Sequence, residues 1–162
     1  IETLSLIQKP KGRLNMIPGL KGSLILDDSY NAVADESIIK GVKFAQALAR
    51  KYKKRLVTII SPMRETGETE EVQHKNVAEF LNEQRDFELI VIGDDAEKYS
   101  KYFRIPYKTV TSSTEFNYEI SGDELFYVKG SQFYRLEKIA YYLMKNKKSA
   151  SKILVRQDPR WN

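Results

Sequence analysis

Three short apolar runs, each ending in a polar loop, constrain this chain more than anything else in it. They are Leu24-Ile25-Leu26, Leu56-Val57-Thr58-Ile59-Ile60 and Leu89-Ile90-Val91-Ile92. Runs of this length, with little polar alternation, suit parallel strands covered on both faces. Segments of helical period separate them. From about Asp35 to Lys53, the residues Ile38, Val42, Ala45, Leu48, Ala49 and Tyr52 recur at three- and four-residue steps and form one buried face, with Asp35 as N-cap. From about Thr69 to Gln84, Val77, Phe80 and Leu81 do the same, and Glu70 and Glu71 favour the helix N-terminus. A further strand at Glu124–Val128 precedes a helix running to about Asn146 on Phe133, Leu136, Ala140 and Leu143. This alternation predicts a doubly wound, mostly parallel sheet with helices on both faces.

Weaker signals fill the rest. Residues 1–9 read as a short strand or entry segment. Pro10, Gly12, Pro18, Gly19 and Gly22 predict loop and turns over Lys11–Lys21. A short helix is expected through Ala96–Tyr102, a strand over Tyr107–Thr111, one or two helical turns over Ser112–Phe116, and a final edge strand at Lys152–Val155.

At 162 residues the chain is read as one domain. It has no Cys, which excludes disulfides, thiolate metal sites and a cysteine nucleophile. His74 is the sole histidine; it argues against a histidine-based zinc site and, on residues alone, is expected to be exposed. The net charge of +5 comes largely from Arg50–Arg55 and from Lys145, Lys147, Lys148 and Lys152. Both groups fall at expected helix C-termini, where cations complement the dipole, so no nucleic-acid partner is expected. No apolar run approaches the ~18 residues of a membrane helix, and no membrane partner is expected. Ile1 in place of an initiator Met suggests a fragment or processed chain.

The polar loops are where chemistry would sit. Asp27–Asn31, Ser61–Gly67 and Lys129–Ser131 each follow a strand, and in a parallel sheet such ends share one edge and can line one cleft. A carboxylate there either caps the turn or accepts hydrogen bonds from a ribose. Lys129, the Ser131 hydroxyl and helix-terminal amides together favour an anion; a plain helix cap by Ser131 is the alternative. No Gly-x-x-x-x-Gly-Lys-Ser/Thr string occurs, so the chain carries no P-loop.

Gly12-Arg13-Leu14, a short spacer and Asp27-Asp28-Ser29-Tyr30-Asn31-Ala32 resemble the start of the C-terminal domain of the Mur ligases. Met63, Glu65, Gly67 and His74, then Val128-Lys129-Gly130-Ser131 and Glu137, extend the resemblance over roughly residues 10–145. The chain departs from the family where Val33-Ala34 replace Asn-Pro, Ser61-Pro62 replace Gly-Asp, and Thr66 replaces Leu. It is most similar to the members that add D-alanyl-D-alanine to UDP-N-acetylmuramoyl-tripeptide in peptidoglycan precursor synthesis. The resemblance implies a Rossmann-like three-layer α/β domain with a mostly parallel sheet of about six strands. It places Asp28 near the ATP ribose, Tyr30 and Asn31 against the nucleotide, and Arg13 toward the phosphates. It gives Lys129, Gly130, Ser131 and Glu65 to the dipeptide. ATP phosphates and Mg²⁺ would be held mainly by a central domain, and the muramyl substrate by an N-terminal one, neither within these residues. Those domains are the implied partners, the implied setting is the bacterial cytoplasm, and the chain alone is expected to be inactive. The rival reading is a non-catalytic Rossmann-like module that binds a nucleotide or a partner.

Overall fold

The computed structural model describes residues 10–161, so the short strand or entry segment expected over residues 1–9 lies outside the described part. Among the described residues, six strands form one sheet: β1 (Asn15–Pro18), β2 (Leu24–Asp28), β3 (Arg55–Ile60), β4 (Phe87–Ile92), β5 (Lys108–Val110) and β6 (Glu124–Lys129), in the order β1-β2-β6-β3-β4-β5. Only β1 runs antiparallel to its neighbour; the other pairings are parallel. This is the Rossmann-like α/β architecture expected.

The apolar runs are buried because both faces are covered, and successive residues serve opposite layers. Ile25, Val57, Ile59, Ile90, Ile92, Phe126 and Val128 pack with α4 (Glu137–Leu143) and α5 (Ala150–Ile153) through Ile139, Ala140, Leu143 and Ala150. Leu26, Leu56, Ile60, Leu89, Val91, Leu125 and Tyr127 pack with α1 (Asp35–Tyr52), α2 (Glu70–Asn82) and α3 (Glu97–Ser100) through Ile38, Val42, Val77, Leu81 and Tyr99. Gly41 of α1 is set by this contact, since a Cβ there would stand 1.8 Å from the Tyr127 hydroxyl.

Several local expectations are corrected. The stretch read as loop over Lys11–Lys21 contains β1; its Pro18 is tolerated because the strand lies at the sheet edge. Lys152–Val155 is not a strand: α5 ends at Ile153, and Leu154 buries itself in the α4 layer, a fate that a short apolar run does not reveal. The expected helix from Ser131 to Asn146 is interrupted. A 3₁₀ turn over Gln132–Tyr134 closes on Arg135 in the left-handed region (φ 55°), and α4 spans only Glu137–Leu143. Phe133, expected in that helix's buried face, is 62% exposed. Ser112–Phe116 makes a hydrogen-bonded turn and no helix. Asp35 is not the cap of α1. Ala34 is, without a side-chain bond, and Asp35 instead accepts from Glu36 N (2.8 Å) and Asn76 Nδ2 (2.8 Å). Tyr52, at the last position of α1, is exposed rather than packed. No described helix is long and apolar enough to cross a membrane.

Candidate functional site

The carboxyl ends of β2, β6 and β3 lie side by side, so the three polar loops share one edge, but they line two clefts rather than one. The register of β2 on β6 sets Asp28 opposite Lys129. Their side chains form a buried ion pair, Lys129 Nζ to Asp28 Oδ2 at 2.8 Å. Lys129 Nζ also donates to Asn31 O (3.1 Å), and the Tyr127 hydroxyl donates to the same Asp28 oxygen (3.2 Å). Burial pushes the Tyr127 phenol far up, beside the Asp28 charge, so it keeps the proton it donates to Asp28. Among the described residues Asp28 Oδ1 has no partner, which leaves one carboxylate oxygen to accept from a ligand.

β1 delivers Arg13. Its antiparallel register pairs Asn15 with Asp27. Continued two residues further, that register brings Arg13 alongside the Ser29–Tyr30 turn, where Tyr30 N donates to Gly12 O at 3.0 Å. The Arg13 guanidinium stacks over the Tyr30 ring, 4.4 Å from its centroid. Arg13, Asp28, Tyr30, Asn31 and Lys129 line one small cleft, with Val33 and Ser37 completing it. Its volume of about 200 Å³ is below the ~300–1,000 Å³ of pockets that enclose a whole ligand. It suits one ring of a ligand held elsewhere as well. An acidic acceptor, a phenol, an amide and an arginine fit the sugar edge of a nucleotide.

Asp27 takes no part. Adjacent strand residues face opposite layers, so Asp27 points to the α4 side and is wholly buried. Burial raises its carboxyl to about 6, opposed by the adjacent Ser29 and assisted by the nearby Asp28 and Glu137 charges. Its Oδ1 accepts from Ser29 N (3.2 Å), while its Oδ2 and the Ser29 hydroxyl are buried without partners.

The residues expected to hold a second substrate are divided. Lys129 belongs to the cleft just described. Gly130 is buried where β6 passes Ser61; a Cβ would meet Ser61 Oγ at 2.1 Å and Leu136 Cδ1 at 2.6 Å, so only glycine fits. Ser131 is buried, donates its N–H to Ser61 Oγ (3.0 Å), and caps the next turn through Phe133 N (3.4 Å). Glu65 is exposed, in the left-handed region at φ 65°. Ser131 and Glu65 share a separate open cleft of about 420 Å³ with Arg64, Gln132, Phe133, Arg135 and Trp161. Arg64 stacks on Phe133 (4.1 Å) and is held by Asp95 (3.1 Å) and the Tyr134 hydroxyl (3.1 Å). Nothing in the pattern of the sequence marks Arg135, Phe133 or Trp161 as neighbours of Glu65.

His74 is buried, contrary to the expectation from residues alone. Its Nε2 accepts from Met63 N (2.9 Å), so Nδ1 carries the proton and donates to Glu70 O (2.6 Å). Burial lowers its pKa, and the neutral ring ties the Ser61–Gly67 loop to α2. Among the described residues, no three His, Cys, Asp or Glu side chains stand close enough to hold a metal ion.

No protein-family profile and no curated protein matches the sequence. Solved structures do resemble the fold. The MurF ligase of Thermotoga maritima, crystallised in complex with ADP, aligns over 92% of this chain with a TM-score of 0.64 and 22% identity. Two crystal structures of MurF from Acinetobacter baumannii align over 90% of the chain, with TM-scores of 0.68 and 0.65 and 21% identity. The chain spans about a third of the length of these proteins, 33%, 32% and 33% respectively. It has the fold of that third.

Proposed function

We propose that this chain is the C-terminal domain of an ATP-dependent ligase that joins D-alanyl-D-alanine to UDP-N-acetylmuramoyl-tripeptide. The observation that carries this reading is the cleft of Arg13, Asp28, Tyr30, Asn31 and Lys129. Residues from three separated stretches, all belonging to the polar strings that resemble the family, meet at one edge of a sheet whose fold is that of MurF. In the whole enzyme, the tripeptide carboxylate would attack the γ-phosphorus of ATP and release ADP. The dipeptide amine would then attack the acyl phosphate, expelling inorganic phosphate as the amide forms.

The role of these residues is to position and to enclose. Asp28 Oδ1 accepts a ribose hydroxyl, with Oδ2 fixed by Lys129 and Tyr127. Tyr30 and Asn31 lie against the sugar, and Arg13 extends past Tyr30 toward the phosphates. The second cleft receives the dipeptide: Arg64 and Arg135 make its rim positive for the carboxylate, and Ser131 and Glu65 stand beside it. Seating both ligands brings this domain down on the central one and keeps water from the acyl phosphate. Mg²⁺ and the three phosphates belong to that central, P-loop-bearing domain, and such an enzyme works in the bacterial cytoplasm.

The test is amide-shift mapping on the purified chain. ADP should move the signals of Arg13 and Asp28–Ala32; D-alanyl-D-alanine should move those of Glu65 and Ser131–Phe133. With only part of the nucleotide held, affinity near the millimolar range is expected, about −4 kcal/mol. Shifts confined to other surfaces, or none at saturating ligand, would overturn the assignment.

A further inference from the structure

The segment after α5 lies outside every string that resembles a known family, yet one of its residues bonds the backbone of a turn that lines the first cleft. Arg156 is nearly enclosed, its side chain 6% exposed. Its Nη2 donates to Ser29 O (2.6 Å) and to Glu137 Oε2 (3.0 Å), and its Nη1 donates to Tyr30 O (3.0 Å). Glu137 is wholly buried, and its other oxygen is taken by Arg135 Nε. One guanidinium thus ties a buried carboxylate on α4 to two successive carbonyls of the turn that presents Asp28, Tyr30 and Asn31.

Two further features show that the arrangement is specified. Arg156 sits in the left-handed region at φ 52°, a conformation disfavoured for a non-glycine residue and retained where surrounding contacts enforce it. Residues of α5 and of the tail also hold the segment that carries Arg13. Val155 packs where a Cβ on Gly12 would stand (3.1 Å), and Lys11 Nζ donates to Ser151 O (2.7 Å). The Gly12–Arg13 turn, the Ser29–Asn31 turn and the tail are therefore held together by Arg156 and its neighbours.

We propose that Arg156 is a positioning residue. It clamps the Ser29–Tyr30 backbone to Glu137 and thereby holds Tyr30 and Asn31, with Arg13 stacked on Tyr30, in the geometry that meets the ligand. The clamp's effect on binding rests on the nucleotide reading above; its effect on loop order does not. The chemistry requires arginine, because a planar fork can reach three acceptors at once whereas an ammonium on a flexible stem cannot hold the same geometry.

Arg156→Lys separates positioning from simple stability, since it keeps a cation for buried Glu137 while losing the fork. The 162-residue chain is compared with this variant by thermal melting, amide hydrogen exchange and ADP titration. The proposal expects melting close to wild type and exchange at Tyr30 N–H and Ala32 N–H at least about tenfold faster. Amides of β3 and β4 should be unchanged, and the ADP dissociation constant raised about tenfold, as for one lost hydrogen bond to a charged group. Should Arg156→Lys fail to fold, the charge-neutral pair Arg156→Met with Glu137→Met carries the same exchange and titration readouts. Wild-type exchange at Tyr30 in the folded variant overturns the clamp. Faster exchange with unchanged ADP affinity overturns its role in binding. A wild-type chain that binds no ADP refutes the nucleotide reading, and the exchange data still decide the clamp.

Discussion

Asp27→Asn should make the protein more stable, and the gain should depend on pH in one direction only. Asp27 is wholly buried, and burial raises its carboxyl from the ordinary 3.8 to about 6. In the unfolded chain the group ionises in water near its ordinary value. The folded state therefore holds the proton more tightly, and ionisation favours unfolding. The penalty is absent below about pH 3.8, grows as pH rises, and is complete above about pH 6. A difference of about 2 pH units, at 1.36 kcal/mol each, makes it about 3 kcal/mol. Asparagine carries no charge, can keep the acceptor for Ser29 N, and places an amide donor beside the unpartnered Ser29 hydroxyl. Urea denaturation of variant and wild type from pH 4 to pH 8 measures the difference in unfolding free energy. Other titrating groups are common to both proteins and cancel unless they couple to the site. The variant should gain about 2–3 kcal/mol relative to wild type on going from pH 4 to pH 8. A difference that stays constant across that range would show that folding leaves the Asp27 carboxyl at its ordinary value and would refute the reasoning. ADP binding should be unchanged, because Asp27 faces the α4 layer and not the cleft.

Asp28→Ala in the full-length enzyme should raise KM for ATP by about tenfold or more, the effect of losing a charge-assisted hydrogen bond worth about 1.5–3 kcal/mol; unchanged steady-state kinetics at varied ATP would count against the cleft. Ser131→Ala and Glu65→Gln should raise KM for D-alanyl-D-alanine more than KM for ATP, and equal effects on both would remove the second cleft from the reading. Gly130→Ala should destabilise the chain by about 1–3 kcal/mol, since its methyl group overlaps Ser61 Oγ and Leu136; chemical denaturation reads this directly. His74 is neutral when folded, its pKa lowered by burial, so wild-type stability should fall as pH drops below the ordinary 6.5. His74→Gln should lose that slope, and a variant as pH-sensitive as wild type would place the effect elsewhere.

What the sequence by itself determined is what depends on neighbours along the chain. The apolar runs at Leu24, Leu56 and Leu89 and the periodic faces of α1 and α2 carry the layer order, because burial on two faces or one leaves a local signature. The string from Asp27 to Asn31 likewise marked a strand's carboxyl end. Tertiary structure decided everything that depends on which strands become neighbours. Setting β6 beside β2 made Lys129, expected to favour an anion, the buried partner of Asp28. The edge pairing of β1, hidden among turn residues, is what carries Arg13 to Tyr30. Asp27 and Asp28 are equivalent as letters, but the sheet sends one into the α4 layer and the other to the cleft. His74 became a buried acceptor because the Ser61–Gly67 loop folds back over α2 and brings Met63 N to its ring. Arg156 lies 127 residues from Ser29, whose carbonyl it holds, and no local pattern can register a hydrogen bond across that separation. Periodicity records whether a residue is inside; only the assembled sheet decides what it meets there.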